Sequence, residues 1–224
     1  MTDPISAIAR YLSADVRALG TLSQNVANLT TPGFRAVQRV ESFSSTLASP
    51  TRIDLHDGAL IHTGRALDLA LQGPGFFQVQ NGEQTYLTRS GQFKVDVDGQ
   101  LVDSQGRAVL GKNGPITLAH EAVTISEDGS IHDGATVVDQ LALVDVADGT
   151  QLQSLGQGLY ASSGAIAEAQ SKVHQGALEG SNVDPGHEMV RLMELSRHAG
   201  SIQHAISTYH ATLVAGIDQI GKSS

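Results

Sequence analysis

The sequence has no cysteine among its 224 residues. That excludes disulfides, thiolate metal sites and a thiol nucleophile. It has no tryptophan either, and aromatic residues make up only 4%. A core built from Ala, Val, Leu and Ile suits long thin helices and extended sheet better than a deep ligand cavity. No run approaches 18 consecutive apolar residues, so no membrane span and no direct membrane insertion are expected. The opening stretch MTDPISAIARYLSADVRALG lacks a basic region followed by an unbroken apolar run. No cleavable secretory signal is therefore read there. Such a chain is cytoplasmic unless a signal-independent route carries it out.

Basic residues are also scarce, and the deficit is uneven. Residues 1–40 carry four Arg against two acids, residues 41–176 seven basic against sixteen acidic, and residues 177–224 three against five. The middle of the chain therefore holds the whole imbalance of −9, while the two ends cancel. An acidic surface repels phosphate backbones, which argues against nucleic acid as a partner.

What is present falls into three parts. Ile5, Ile8, Leu12, Leu19, Leu22, Val26 and Leu29 follow an alternating spacing of three and four, with Asp15 at the one missed position. That predicts a helix with a coiled-coil-like apolar seam. Leu192, Leu195, Ala199, Ile202, Ile206, Tyr209 and Leu213 repeat the pattern near the other end, with Ile220 one heptad further. Asn182 or Asp184 is a candidate N-cap for this second helix, with Pro185 in its first turn and Glu188 as an early acid.

Between the helices the dipeptides Asp57-Gly58, Asn81-Gly82, Asp98-Gly99, Asn113-Gly114, Asp128-Gly129, Asp133-Gly134 and Asp148-Gly149 punctuate short β-prone runs such as FFQVQ, TYLT and QLALVDV. Asn-Gly and Asp-Gly supply the positive φ that tight hairpins need, so an antiparallel all-β domain is expected. The fold class is α+β: paired N- and C-terminal coiled-coil-like helices enclosing a central antiparallel all-β domain. The expected organisation is a first helix over 1–36, a linker over 37–57, the β domain over 58–165, a return linker over 166–183 and a second helix over 184–224. Most amphipathic helices are core elements of their own fold. Two narrow seams at the two ends can pair with each other, and a pair still leaves apolar surface for neighbouring subunits to cover.

Motifs for chemistry do not hold up. GRAVLGKN (106–113) has the glycine and lysine spacing of a phosphate-binding loop, but Asn113 replaces the required Ser or Thr and RAVL reads as a strand. GPGFFQ (73–78) lacks the third glycine of a dinucleotide fingerprint and reads as a tight turn into a buried strand. DVDG (96–99) has no following Glu at calcium-loop distance. His198, His204 and His210 recur every six residues, which places each about 120° round the helix from the last, so they do not converge on one ion. No catalytic residue, cofactor or metal site is expected, and the chain does not read as an enzyme.

The stretch LGTLSQNVANLTTPGFRA (19–36) resembles the N-terminal signature of bacterial flagellar rod and hook proteins, with Asn25, Asn28, Thr31, Gly33 and Phe34 matching position by position. TGRALDLALQGPGFFQVQNGEQTYLTRSGQFKVDVDGQLVDSQGRAVLG (63–111) resembles that family's β-domain core. GALEGSNVDPGHEMVRLMELSR (176–197) is similar to its C-terminal helix entry. Arg197-His198-Ala199-Gly200 departs from the family's usual Arg-aromatic pair. TTPGFRA, the NGPITL run (113–118) and LEGSNV most resemble the proximal-rod member that adjoins the distal rod. A distal-rod or hook-type member is the alternative, and a monomeric β-domain binding module is a reading from another class.

The resemblance implies a structural subunit that assembles helically and transmits torque. It is exported by the flagellar type III apparatus without a cleaved signal. Its partners are further copies of itself and neighbouring rod proteins. The seam residues named above other than Ala199 and Ile220, with Asn25, Asn28 and Phe34, are then the expected assembly interface. Thr31, Pro32, Gly33, Ser181 and Asn182 are the expected hinges between an inner helical layer and an outer β layer.

Overall fold

The computed structural model describes residues 4–39, 51–120 and 122–221. Two helices flank a central, wholly antiparallel β region, which gives the expected α+β architecture. Helix α1 spans Pro4–Ala27 and helix α2 spans Pro185–Gly221. Asp184 is the N-cap of α2. Its carboxylate accepts hydrogen bonds from the backbone N–H groups of Gly186 at 2.8 Å and His187 at 3.3 Å. Pro185 follows at the first helical position, where a missing N–H costs nothing.

The main sheet runs in the order Leu152–Gly156, Leu159–Ser162, Gln84–Thr88, Phe76–Asn81, Ala108–Gly111, Leu101–Val102, Lys94–Val95. A second sheet joins Thr124–Ile125, Ser130–Asp133 and Thr136–Gln140. The strand Phe76–Asn81 explains how one chain holds two cores. Successive side chains of a strand point to opposite faces. Phe77 and Val79 therefore enter a large core with Leu69, Leu101, Val109 and Ile131, while Phe76 enters a second with Phe34, Ile53, Leu87 and Tyr160. Each phenylalanine meets an aromatic edge: Phe77 against Phe93 at 5.2 Å and Phe76 against Tyr160 at 5.6 Å.

The turn dipeptides perform mostly as expected. Gly82, Gly99, Gly114, Gly129 and Gly134 all have positive φ. Gly58 and Gly149 do not, and their reason for being glycine is space. A Cβ on Gly58 would lie 2.1 Å from the Gly180 carbonyl oxygen, and one on Gly149 would lie 2.1 Å from that of Ile53.

The β region is wider than 58–165. The segments read as linkers carry strands of their own. Val37–Arg39 pairs with Thr51–Ile53, Lys172–Gln175 with Leu69–Gln72, and Ala177–Glu179 with Leu60–His62. Ala177 and Leu178 are buried there, and buried backbone must find hydrogen-bond partners, which these ladders supply. The first helix is also shorter than 1–36. Beyond Ala27 the chain leaves the helix through turns.

The exit is built by Pro32 and Gly33. Phe34 N–H donates to the Thr31 carbonyl at 3.2 Å, Pro32 sits second in the turn, and Gly33 third with φ +69°. That combination is a type II turn, which needs a positive φ at its third residue. The same glycine lies against the Arg89–Ser90 backbone, where a Cβ would come within 2.2 Å of the Arg89 carbonyl carbon. Gly33→Ala therefore meets both strain and a backbone clash. The expected loss is about 3 kcal/mol, measured as the denaturant midpoint of the purified chain. An unchanged midpoint overturns the account of this turn.

Candidate assembly interface

The end of α1 is held by asparagine side chains acting as backbone. The Asn25 carboxamide accepts from the Val37 N–H at 2.8 Å and donates to the Val37 carbonyl at 3.0 Å. It thereby pairs with the strand Val37–Arg39 as a neighbouring strand residue would. The same Asn25 nitrogen donates to the Glu188 carboxylate of α2 at 2.8 Å. Asn28 donates to the Gln24 carbonyl at 2.8 Å and accepts from the Thr31 hydroxyl at 3.0 Å. A carbonyl orphaned at the helix end is thus satisfied locally.

Asn182 does the same from the other side. It accepts from Ala36 N–H at 2.6 Å and donates to the carbonyls of Asp54 and His56. Its backbone N–H donates to the Phe34 carbonyl. Asn182 thus stitches the two expected hinge segments together, and Asp184 alone caps α2. Ser181, beside it, accepts a bond at 3.3 Å from the Val183 N–H.

Beneath this junction lies an ionic quartet that sequence reasoning did not single out, with Arg35, Arg89 and Glu179 buried and Asp57 at its solvent-exposed edge. Arg89, fully buried, donates through Nε to Glu179 at 2.6 Å and through Nη2 to Asp57 at 2.8 Å. Arg35 reaches the same two carboxylates at 2.9 and 3.0 Å. Arg89 also donates to the carbonyls of Gly75 at 2.5 Å and Gly73 at 2.8 Å. Glu179 accepts from Gly58 N–H at 2.7 Å.

Burial pulls the Arg89 pKa down, the Glu179 carboxylate raises it, and the neighbouring Arg35 lowers it again. The guanidinium remains charged at any physiological pH. The phenol of Tyr160, which accepts from Arg35 N–H at 2.8 Å, has its pKa raised by burial. It stays a neutral part of the second core.

The helices meet each other as well as the β region. The His198 ring faces the Asp15 carboxylate at 2.8 Å, and the Tyr11 ring meets His198 edge-on at 6.3 Å. Ten residues separate Asn25 from Asp15, and ten separate Glu188 from His198, so α1 and α2 run antiparallel along this contact. A cavity of about 380 Å³ lies between them, lined by Ala14, Ala18, Leu22, Leu195 and the charged groups of Arg39, Glu188 and Arg191.

The expected interface residues divide on inspection. Phe34, Asn25, Leu22 and Ile202 are buried within their own chain. Phe34 is a core residue of the second cluster and presents nothing to a neighbour. That corrects the reading of Phe34 as an interface residue, because the type II turn points it inward. Ile8, Asn28, Leu29 and Leu195 are half-buried. Leu12 (47%), Leu19 (48%), Val26 (44%) and Leu192 (40%) remain exposed, as do Ile206 and Tyr209. Ile5 and Leu213 lie outside the described side chains. Among the described residues, no cluster of His, Asp and Glu could hold a metal ion. No described helix is long and apolar enough to cross a membrane.

Two substitutions test the junction. Asn25→Ala removes three hydrogen bonds and strands the Glu188 carboxylate, for an expected loss of roughly 2–4 kcal/mol. Glu179→Gln leaves two buried guanidiniums facing the single charge of Asp57, for about 3–5 kcal/mol. Lys172→Ala removes one partner of the solvent-exposed pair with Glu127 and serves as the mild control. Equilibrium unfolding of the three variants checks the order, and a Glu179→Gln no worse than Lys172→Ala refutes the quartet's role.

Comparison with known proteins gives this geometry a family. The model for the flagellar hook protein FlgE/F/G D1 domain matches residues 70–133, and that for the flagellar basal body rod FlgEFG protein C-terminal matches residues 174–213. The chain is 32% identical to the flagellar basal-body rod protein FlgF of Caulobacter vibrioides, covering 92% of this chain and 93% of the relative. It is 36% identical to the protein of the same name from Escherichia coli, over 72% and 76% of the two chains. It is also 29% identical to the flagellar basal-body rod protein FlgG of Bacillus subtilis, over 85% and 88%. The first model covers strands of both sheets, and the second runs from the strand Lys172–Gln175 through the junction into α2. With a similarity that spans nearly the whole length of its relatives, the chain belongs to the flagellar basal-body rod protein family.

Proposed function

We propose that the chain works as a structural subunit of the flagellar rod, joining its neighbours through the two terminal helices and passing torque along the assembly. Its role is structural and not enzymatic. The observation that carries this reading is the apolar surface left open on α1 and α2. Leu12, Val16, Leu19 and Val26 of α1 and Met189, Leu192 and Met193 of α2 are all at least 40% exposed. Contiguous apolar surface on this scale marks an interaction site. It lies on elements anchored to the β region by buried hydrogen bonds and ion pairs, as load transmission requires.

On this reading the helix pair forms an inner axial layer and the acidic β region faces outward. The net charge supports that division, since the helical ends cancel while residues 41–176 carry sixteen acids against seven basic residues. Export through the flagellar type III apparatus, without a cleaved signal, brings the chain to the periplasm-spanning rod. The TTPGFRA, NGPITL and LEGSNV stretches support a proximal-rod level adjoining the distal rod. The partners are then further copies and the neighbouring rod proteins.

Arg10, Arg17, Arg191 and Arg197 put trypsin sites along both helices. In the free chain these sites are expected to be cut ahead of the buried Arg35 and Arg89, leaving the junction and both cores intact. In isolated basal bodies the same four sites are expected to resist a dose that clears the helices of the free chain. The check is limited trypsin digestion of both samples with mass-spectrometric mapping of the cuts. Equal cleavage in the two samples rules out assembly through the helices.

A further inference from the structure

The seam of α1 does two jobs, and the structure separates them. Its members fall in two heptad rows. Ile8, Asp15, Leu22 and Leu29 turn toward the chain's own α2 and β region: Leu22 is 6% exposed, and Asp15 meets His198. Leu12, Leu19 and Val26 form the other row and remain open, with Val16 beside them at 62%.

At about 100° per residue, this open row lies roughly 80–160° round the helix from the contact with α2. On α2, Leu192, Met189 and Met193 lie roughly 70–170° round from the line through Glu188, Ile202 and His198. Because the two helices run antiparallel, moving the same way round both wheels from their shared contact reaches the same side of the pair. The two open rows are therefore one continuous apolar flank.

Charge confirms that this flank is distinct. From Ile8 to Val26 its only acid or base is Asp15, at its inner margin and engaged by His198. From Met189 to Val214 it holds no Asp, Glu or Lys, with the His210 imidazole in line with Leu192 and Arg197 at its outer edge, one turn beyond Met193. Arg10 and Arg17 of α1, and Arg191 and Glu194 of α2, fall on the opposite flank, where Arg191 and Glu194 border the cavity between the helices. Gly200 and Ala199 lie along or beside the uncharged flank. A Cβ added to Gly200 would meet nothing within 4 Å, so the chain itself does not use the close approach that this glycine permits.

Resting on the rod-subunit reading, we propose that this uncharged flank, and not the charged one, receives the helices of a second copy of the chain. Three features favour that occupant. The flank continues the α1–α2 contact, so an incoming helix extends a helix layer that already exists. Copies cannot approach through their β regions without bringing like charge together, because residues 41–176 are strongly acidic. Asp15 is engaged by His198 and Arg197 stands only at the outer edge, so the flank offers little for an oppositely charged partner to recognise, whereas an equally apolar helix fits it without burying an unpaired charge.

The test uses a photo-crosslinking residue, p-benzoylphenylalanine, placed at position 16, 19 or 17 of the full-length chain in flagellated cells. Basal bodies are isolated and irradiated. Positions 16 and 19 are expected to yield a product of twice the chain mass containing only this chain, and position 17 to yield at least tenfold less. Cross-linking chiefly from position 17, or a product from 16 and 19 made with a different protein, overturns the proposal. Detection of the chain in the basal bodies by immunoblot is the separate readout of the rod reading. A chain absent from basal bodies refutes that reading, while a chain present but joined through its charged flank refutes only this inference.

Discussion

Two guanidiniums taken out of water must be matched by carboxylates. Arg35 and Arg89 are matched by the buried Glu179 and, at the solvent edge, by Asp57, and the four residues come from separate chain segments between positions 35 and 179. A buried ion pair is a poor source of net stability, since desolvation offsets most of the attraction. It is a strict demand on geometry all the same. Any packing that separates the exit of α1 from the strand entering α2 leaves a charge buried without a partner. The quartet thus decides where both helices leave the β region, and everything about the helix pair follows from that placement.

The consequence is mechanical. A subunit that hands load from one neighbour to the next needs a junction with little freedom, and neutral loops would not provide it. Here the path from α1 to the β region runs through Asn25 on Val37, Asn182 on Ala36, and Gly33 N–H on the Glu179 carbonyl at 2.7 Å. Each bond joins side chain or backbone across segments distant in sequence, so bending the junction breaks several together. The residues read as hinges are tied to the rest of the chain by hydrogen bonds, Thr31 to Asn28, Gly33 to Glu179, and Asn182 to Ala36, Asp54 and His56.

Much of this was legible beforehand, and the limits have physical causes. Helix and hairpin come from local periodicity and turn chemistry, so both helices and most Asn-Gly and Asp-Gly turns could be read directly. Strands such as Ala177–Glu179 could not, because their partner Leu60–His62 lies more than a hundred residues earlier and no turn signal separates them. The quartet was hidden for the same reason. Arg35, Arg89 and Glu179 sit inside the three stretches that resemble the rod and hook family, yet isolated charges have no spacing rule when their partners are remote. Asp15 and His198 show the point most simply. One broke the first seam and the other stands where the family keeps an aromatic; the structure puts the two exceptions in contact.

A heptad seam specifies that a helix is partnered on one side, but a row of leucines carries no label saying whose helix the partner is. That information resides in where the chain re-enters the fold. Asn25 pairs with Val37 only when α1 presents its Leu22–Asn25 side to the β region, and Glu188 then reaches Asn25 only from an antiparallel α2. These two constraints fix the rotation of α1 about its own axis. With the rotation fixed, Leu22 is buried in the chain while Leu19 and Val26 stay exposed. The asparagine that looked like part of a helix stop is therefore the residue that decides which side of the seam the chain itself covers.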